Sequence, residues 1–127
     1  MFKLHKRADM GTEAIEYRTA GVAITPGMVL KYTTGKLAKA VGTDVPEYVS
    51  LGSAKANEEC AVKRIIEDEI YETTLSVAGT GLTAGAKVTL HASNALEVTA
   101  TTTDGVFEII EMDGTAAGSK VRGLFRR

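Results

Sequence analysis

The chain has 127 residues, with 15 basic and 16 acidic side chains and a formal net charge of -1 at pH 7. This length favours one domain that buries a core without metal or disulfide staples. The near balance of charge excludes a protein whose whole surface attracts nucleic acid or an anionic membrane. Cys60 is the only cysteine, so an intramolecular disulfide and a cysteine-rich metal site are also excluded.

No apolar run approaches the roughly 20 residues that span a bilayer. The N-terminal stretch MFKLHKRADMG also lacks the apolar segment of a secretory signal. We therefore expect a soluble protein that is made in a cytoplasm and has no membrane partner.

Residues 1–20 differ in composition from the rest of the chain. They begin basic, become mixed in charge, and contain few large apolar side chains, among them Leu4, Ile15 and Tyr17. We interpret this segment as an N-terminal arm that docks onto a partner. The alternative is a loose terminus, which is a common fate of such segments.

From Gly21 onward, short apolar runs alternate with turn residues, a pattern typical of antiparallel strands. Pro26-Gly27 and Asp104-Gly105 are suited to turns because proline pre-sets φ and glycine tolerates positive φ. A polar loop or a single helical turn is predicted at 53–59. The predicted strands are 28–32, 36–40, 47–52, 60–66, 70–77, 87–91, 96–100, 106–112 and 120–125.

An internal repeat is visible in two stretches. Residues 24–40, ITPGMVLKYTTGKLAKA, return in outline as residues 82–100, LTAGAKVTLHASNALEVTA, and each copy predicts a hairpin. We infer two pseudo-repeats, about 21–74 and 75–127, within a single β domain that neither half forms alone. A chance alignment of common residue types is the alternative.

The expected fold is therefore all-β. Few segments carry the apolar stripe of a helix, so the strands are expected to form a small β-barrel or sandwich. The strands are short and antiparallel, and the N-terminal arm extends from this body.

The polar residues do not form a catalytic pattern. His5 and His91 are the only histidines, and no G-x-S-x-G elbow is present. The adjacent carboxylates at 67–69 could hold a hard cation, but a solvated corner between strands is the simpler interpretation. We expect no catalytic residue, cofactor or metal, and hence no enzyme.

The C-terminus is basic around one aromatic residue, with Lys120, Arg122, Arg126 and Arg127 flanking Phe125. A β-barrel carrying such a strand could bind single-stranded nucleic acid. Three phenylalanines, four tyrosines and no tryptophan leave few stacking platforms in the chain. A charged terminal strand that keeps an edge soluble is the simpler interpretation.

The run ITPGMVLKYTTGKLAKA, followed by DVPEYVS at 44–50 and AVKRI at 61–65, resembles the small head decoration (capsid cement) proteins of tailed bacteriophages. The resemblance covers about residues 20–66. It implies a virion protein, made in the host cytoplasm, that binds the major capsid protein on the outer surface and stabilises the expanded shell. It also implies a homo-oligomer, commonly a trimer around a local symmetry axis.

Under this resemblance the arm contacts the capsid by pairing with a strand of the shell. The expected contact residues are Lys3, Leu4, Lys6, Arg7, Ile15 and Tyr17. Two alternatives remain open at this point. One is another structural β protein of a head or tail that forms its own ring, and the other is a β-barrel that binds single-stranded nucleic acid.

Overall fold

The computed structural model describes residues 1–6 and 15–126 as two five-stranded antiparallel sheets. The strands are β1 (Lys3–Lys6), β2 (Ile15–Thr19), β3 (Val29–Thr33), β4 (Lys36–Lys39), β5 (Tyr48–Ser50), β6 (Glu59–Arg64), β7 (Ile70–Thr74), β8 (Lys87–Val88), β9 (Phe107–Met112) and β10 (Lys120–Phe125). The all-β prediction is confirmed, and the arrangement is sandwich-like rather than a closed barrel. In the described part of the chain, no helix has the length and apolarity needed to cross a membrane.

Sheet I has the strand order β2-β6-β5-β3-β4. Its β3–β4 hairpin turns on Thr34 and Gly35, whose φ values of 53° and 79° fit the two-residue turn that matches strand twist. The sheet curls until Ala20, just after β2, forms a single parallel bridge with Leu37 of β4. This bridge brings the two ends of the sheet together without closing it.

Sheet II has the order β1-β7-β10-β9-β8 and repeats the plan of sheet I. In sheet II, the neighbouring strands β7, β10, β9 and β8 correspond one by one to β2, β6, β5 and β3 of sheet I. Leu75, just after β7, forms a parallel bridge with Val98, as Ala20 does with Leu37. The structural repeat therefore starts at β2 and at β7, so β7, which the sequence interpretation placed in the first half, belongs to the second sheet.

The described parts of the N-terminal segment, residues 1–6 and 15–20, lie in or beside strands, whereas the prediction was an extended arm; residues 7–14 lie outside the described residues. Strand β1 pairs with β7, and strand β2 pairs with β6. Phe2 is 1% exposed, and its ring lies 5.9 Å from Phe107 and 5.5 Å from Phe125. The reason is the apolar burial of this one ring and of Leu4 beside it, which outweighs the polar character of the segment.

The second predicted hairpin is less regular than the first. Residues 96–100 form no extended strand, although Val98 bridges Leu90 and the His91 N–H donates to the Glu97 carbonyl at 2.9 Å. The side chain of Asn94 accepts a hydrogen bond from the Leu96 N–H at 2.8 Å. This local turn takes backbone groups that a strand ladder needs.

One apolar core runs through both halves. Its largest fully buried side chains are Tyr48, Tyr71, Phe2, Phe107, Ile24, Leu30, Leu37, Leu75, Leu90, Ile109, Val29 and Val62. The halves are also joined through the backbone, since the Val29 N–H donates to the Ala95 carbonyl at 2.9 Å and the Leu90 N–H to the Gly42 carbonyl at 2.8 Å. The two halves therefore share one core and are joined by backbone hydrogen bonds.

Candidate binding surface

Strand β2 lies at one edge of sheet I and exposes two large apolar side chains. Ile15 is 57% exposed and Tyr17 is 64% exposed, whereas Glu16 and Arg18 between and after them are half-buried. Most edge strands place apolar residues inward and charged ones outward, so this pattern is inverted. An inverted edge is typical of a surface that another molecule covers.

The backbone of β2 also has an open side. Ala20 donates its N–H to the Glu58 carbonyl, and Arg18 lies opposite Cys60 in the same register. Successive residues of an antiparallel strand direct their backbone N–H and C=O groups alternately toward the strand on one side and toward the other side. Since the groups of Arg18 and Ala20 point toward β6, those of Ile15 and Tyr17 point away from it. Strand β4 reaches this side at the C-terminal end of β2, where the Gly21 N–H donates to the Leu37 carbonyl at 2.8 Å. Among the described strands, none pairs with Ile15 or Tyr17 on that side.

The apolar surface continues from β2 across the outer face of sheet I. Tyr17 lies opposite Ala61, which accepts a hydrogen bond from the N–H of Leu51, a residue that is 40% exposed. Beside Leu51, residues 1–4 lie next to residues of sheet I, and together they line a cleft. Its lining residues are Met1, Phe2, Lys3, Leu4, Pro26, Gly27, Val49, Ser50, Leu51, Lys63 and Tyr71.

A buried ionic cluster forms the floor of this cleft. Lys63 is 3% exposed, and its Nζ donates to Glu69 Oε1 at 2.5 Å and to the Tyr71 hydroxyl at 3.0 Å. The same carboxylate oxygen accepts from the Tyr71 hydroxyl at 3.0 Å and from the Ile66 N–H at 3.0 Å. Because Lys63 belongs to sheet I and Tyr71 to sheet II, the cluster fixes one sheet against the other.

The inner side of β2 carries a second cluster of charges. Glu16 lies 2.6 Å from the Arg18 guanidinium and 3.2 Å from that of Arg64, and Arg64 also donates to the Tyr48 hydroxyl at 2.8 Å. The hydrogen bond from Arg18, with help from Arg64, lowers the pKa of Glu16. The cluster holds two cations and one anion, so it leaves one positive charge in excess near the edge.

The outer face of sheet II is polar instead. A ladder of ion pairs runs from Lys3 on β1 through Glu72 on β7 and Arg122 on β10 to Glu111 on β9, with separations of 3.1, 2.9 and 3.2 Å. Hydrogen bonds from Lys3 and then Arg122 lower the pKa of Glu72. The charged side chains of this face are paired with one another, so the face has little apolar surface that a partner could cover.

The six predicted contact residues fall into three groups. Ile15 and Tyr17 lie side by side in β2 on the exposed face. Lys3 pairs with Glu72, and Leu4 is half-buried against the core. Lys6 is in β1 opposite Ile70, and Arg7 lies outside the described residues. Their contact with a capsid remains a prediction.

Leu51, Arg18 and Arg64 were not among the predicted residues. Leu51 lies near Tyr17 on the exposed face through Ala61, whereas Arg18 and Arg64 meet at Glu16 on the inner side of β2. Only the alternation in IEYRT, with its apolar positions separated by charges, marks β2 itself as a strand at an edge.

The residues considered for chemistry have structural partners. His91 accepts hydrogen bonds at Nδ1 from the backbone N–H groups of Ser93 and Asn94, both at 3.1 Å. Cys60 is buried, which raises the pKa of its thiol. No group of three metal-ligating side chains occurs within residues 1–6 and 15–126.

The basic C-terminal strand is also engaged. Arg122 contacts three carboxylates, with Asp113 the third at 3.1 Å, and Arg126 lies 3.8 Å from Glu108. The Phe125 ring packs 5.2 Å from Phe107 and 5.4 Å from Tyr71. A ring held in this cluster is not a free platform for stacking a base.

No family model matches this chain, and no curated protein matches it. Among solved structures, the chain is similar to the N base of the head fiber gp8.5 in bacteriophage phi29. The TM-score is 0.63 with 14% sequence identity, and the match covers 90% of this chain and 94% of that chain. At this identity the likeness shows a shared fold across nearly the whole chain.

Proposed function

We propose that this chain is a structural protein of a bacteriophage head, placed on the outer surface of the capsid, where it stabilises the expanded shell. The observation that carries the proposal is the fold shared with the head fiber N base of phage phi29 along 90% of the chain. The sequence resemblance to head decoration proteins over residues 20–66 agrees with it.

The surface chemistry supports a binding role of this kind. The outer face of sheet I presents exposed apolar side chains at 15, 17 and 51, while the outer face of sheet II is covered by ion pairs. A protein with one apolar and one charged face can lie on a shell with the apolar face toward it. The partner is then the major capsid protein, and assembly as a trimer is part of the proposal.

Binding to phage heads tests the function directly. Purified chain is titrated against expanded and unexpanded heads of the phage that carries its gene. We expect saturable binding to expanded heads and a higher temperature of head disruption once the sites are filled. Absence of binding to either kind of head by a folded chain would contradict the proposal.

Point variants locate the contact better than removal of residues 1–20, because that deletion takes away two strands. Leu51→Ser should weaken head binding by removing apolar contact area on the outer face of sheet I. Val77→Ser is the matched control, since Val77 is 49% exposed but lies outside this surface. A ring-forming protein would assemble alone, and a nucleic-acid binder would show salt-dependent affinity for single-stranded DNA.

A further inference from the structure

The open side of β2 has a filled counterpart in the same molecule. Strand β7 occupies in sheet II the place that β2 occupies in sheet I, and β7 is covered on its outer side by β1. There Lys3 lies opposite Glu72 and Leu4 opposite Tyr71 in an antiparallel register. The fold therefore already accepts a short antiparallel strand at this position once per chain.

The other edge strands are protected in a way that β2 is not. Lysines stand in β1 (Lys3), in β4 (Lys36 and Lys39) and in β8 (Lys87), and charged edges of this type discourage pairing with another chain. Strand β2 contains no lysine and turns Ile15 and Tyr17 outward. Among the described edge strands, β2 is therefore the one best suited to pair with a strand of another chain.

We infer that the edge of β2 accepts an antiparallel strand from the shell protein, which extends sheet I to six strands as β1 extends sheet II. This inference rests on the proposed function. The backbone groups of Ile15 and Tyr17 that point away from β6 would pair with the incoming strand, a recurring mode of peptide recognition. The chain is then the acceptor of a strand rather than the donor of an arm.

The chemistry of β2 specifies the incoming strand. Residues that lie opposite Ile15 and Tyr17 share their face and are expected to be apolar. Residues that alternate with these lie opposite Glu16 and Arg18. The one opposite Arg18 is expected to be acidic, because Glu16 with Arg18 and Arg64 leaves one positive charge in excess.

A second copy of β1 fits this edge poorly. In the register seen on β7, its Lys3 would lie opposite the apolar Tyr17, and its Leu4 opposite Glu16. The lysine would lose the ion pair that it makes with Glu72 at 3.1 Å. The edge is therefore matched to a strand with apolar residues opposite Ile15 and Tyr17 and an acidic residue opposite Arg18, and not to β1 of another copy.

Tyr17→Pro tests the inference, because it removes the outward N–H and leaves intact the N–H groups of Glu16 and Arg18 that face β6. Tyr17→Ala is the matched control, since it removes the same ring but keeps the N–H. We expect Tyr17→Pro to bind expanded heads about tenfold or more weakly than Tyr17→Ala, with the thermal midpoint unchanged. Equal binding by the two variants would overturn the inference while the proposed function stands.

Two further measurements settle the remaining outcomes. Amide hydrogen exchange in the free protein should be fast at Ile15 and Tyr17, and slow exchange there would mean that the chain's own residues cover the edge. If heads bind no variant, including the original chain, the proposed function fails. Strand pairing at the edge of β2 is then tested by adding an acetylated peptide in which valine and glutamate alternate and by recording chemical shifts of the chain.

The peptide gives an independent result. Chemical shift changes at Ile15 and Tyr17 that Tyr17→Pro abolishes would support a strand-accepting edge, and no change at millimolar peptide would overturn it. Self-association of the free chain that Tyr17→Pro abolishes would also overturn it, because a second copy would then be the occupant.

Discussion

Lys63 is a buried cation on the floor of the apolar cleft. Removing a charge from water costs several kcal/mol unless partners replace the lost hydration. Here Glu69 and Tyr71 supply them, together with the carbonyl of Arg64 at 2.8 Å. The residue therefore holds the two sheets together only while its anionic partner is present.

Lys63→Met should lower the free energy of unfolding by about 3–5 kcal/mol, because the Glu69 carboxylate stays buried without its cation. Urea denaturation monitored by circular dichroism measures the change. Lys63→Met combined with Glu69→Gln should recover a large part of the loss, since neither residue is then charged. Lys36→Met, which alters an exposed lysine, is the control. A loss below about 1 kcal/mol for Lys63→Met would contradict the buried-pair argument.

At the scale of elements, the four strands β1, β7, β10 and β9 are joined by one ladder of ion pairs. Glu72 is its centre, with hydrogen-bonded cations on both sides. Its lowered pKa means that folding favours the ionised carboxylate. The contribution is complete above the ordinary glutamate pKa of about 4.3 and is lost as pH falls through the lower folded-state pKa.

Glu72→Gln should therefore lower the free energy of unfolding more at neutral pH than in acid. The difference in urea midpoint between the original chain and the variant is expected to be largest above about pH 5 and to shrink as pH falls through and below about 4. Denaturation curves at a series of pH values measure it. A difference that stays constant over this range would show that the ion pairs of Glu72 do not stabilise the fold.

At the scale of the whole molecule, the N-terminal residues connect the halves. Phe2 packs in the aromatic cluster of the second half, and its N–H donates to the Gly27 carbonyl of the first half at 2.9 Å. Gly27 has a φ of 80°, which glycine adopts without strain and other residues do not. Residues 1–6 and 15–20 of the segment expected to be an arm are therefore part of the folded body.

Phe2→Ala should lower the free energy of unfolding by about 3–5 kcal/mol through the cavity that it leaves. Tyrosine fluorescence and far-ultraviolet circular dichroism should still report one coincident transition, because both halves share the core. Met1→Ala is the control, since Met1 is 58% exposed. A Phe2→Ala variant as stable as the control would mean that the segment is not docked.

The parts of the fold that follow from local pattern could be predicted. Residues 120–125 form the strand expected of them, and the predicted strands 28–32 and 36–40 correspond to β3 and β4, joined by the turn at Thr34-Gly35. Strand β1 was missed because its polar residues hide the burial of Phe2 and Leu4. Strand β2 was missed because its apolar residues face outward, so alternation alone could not place it against a core.

The candidate site was only partly predictable for a related reason. Ile15 and Tyr17 stand out by composition, and the structure places both on the exposed face. Leu51 reaches that face through Ala61, and Arg18 meets Arg64 through Glu16. Such neighbours are set by strand pairing between residues far apart in the chain, which local spacing does not encode.

Under the proposed pairing, the distribution of lysines over the described edges limits the number of partner strands to one per chain. Because β1 and β4 each contain lysine, occupancy of β2 would leave no matching edge among the described strands from which a further sheet could grow. Crowding on a lattice would then end in saturation and not in fibril growth.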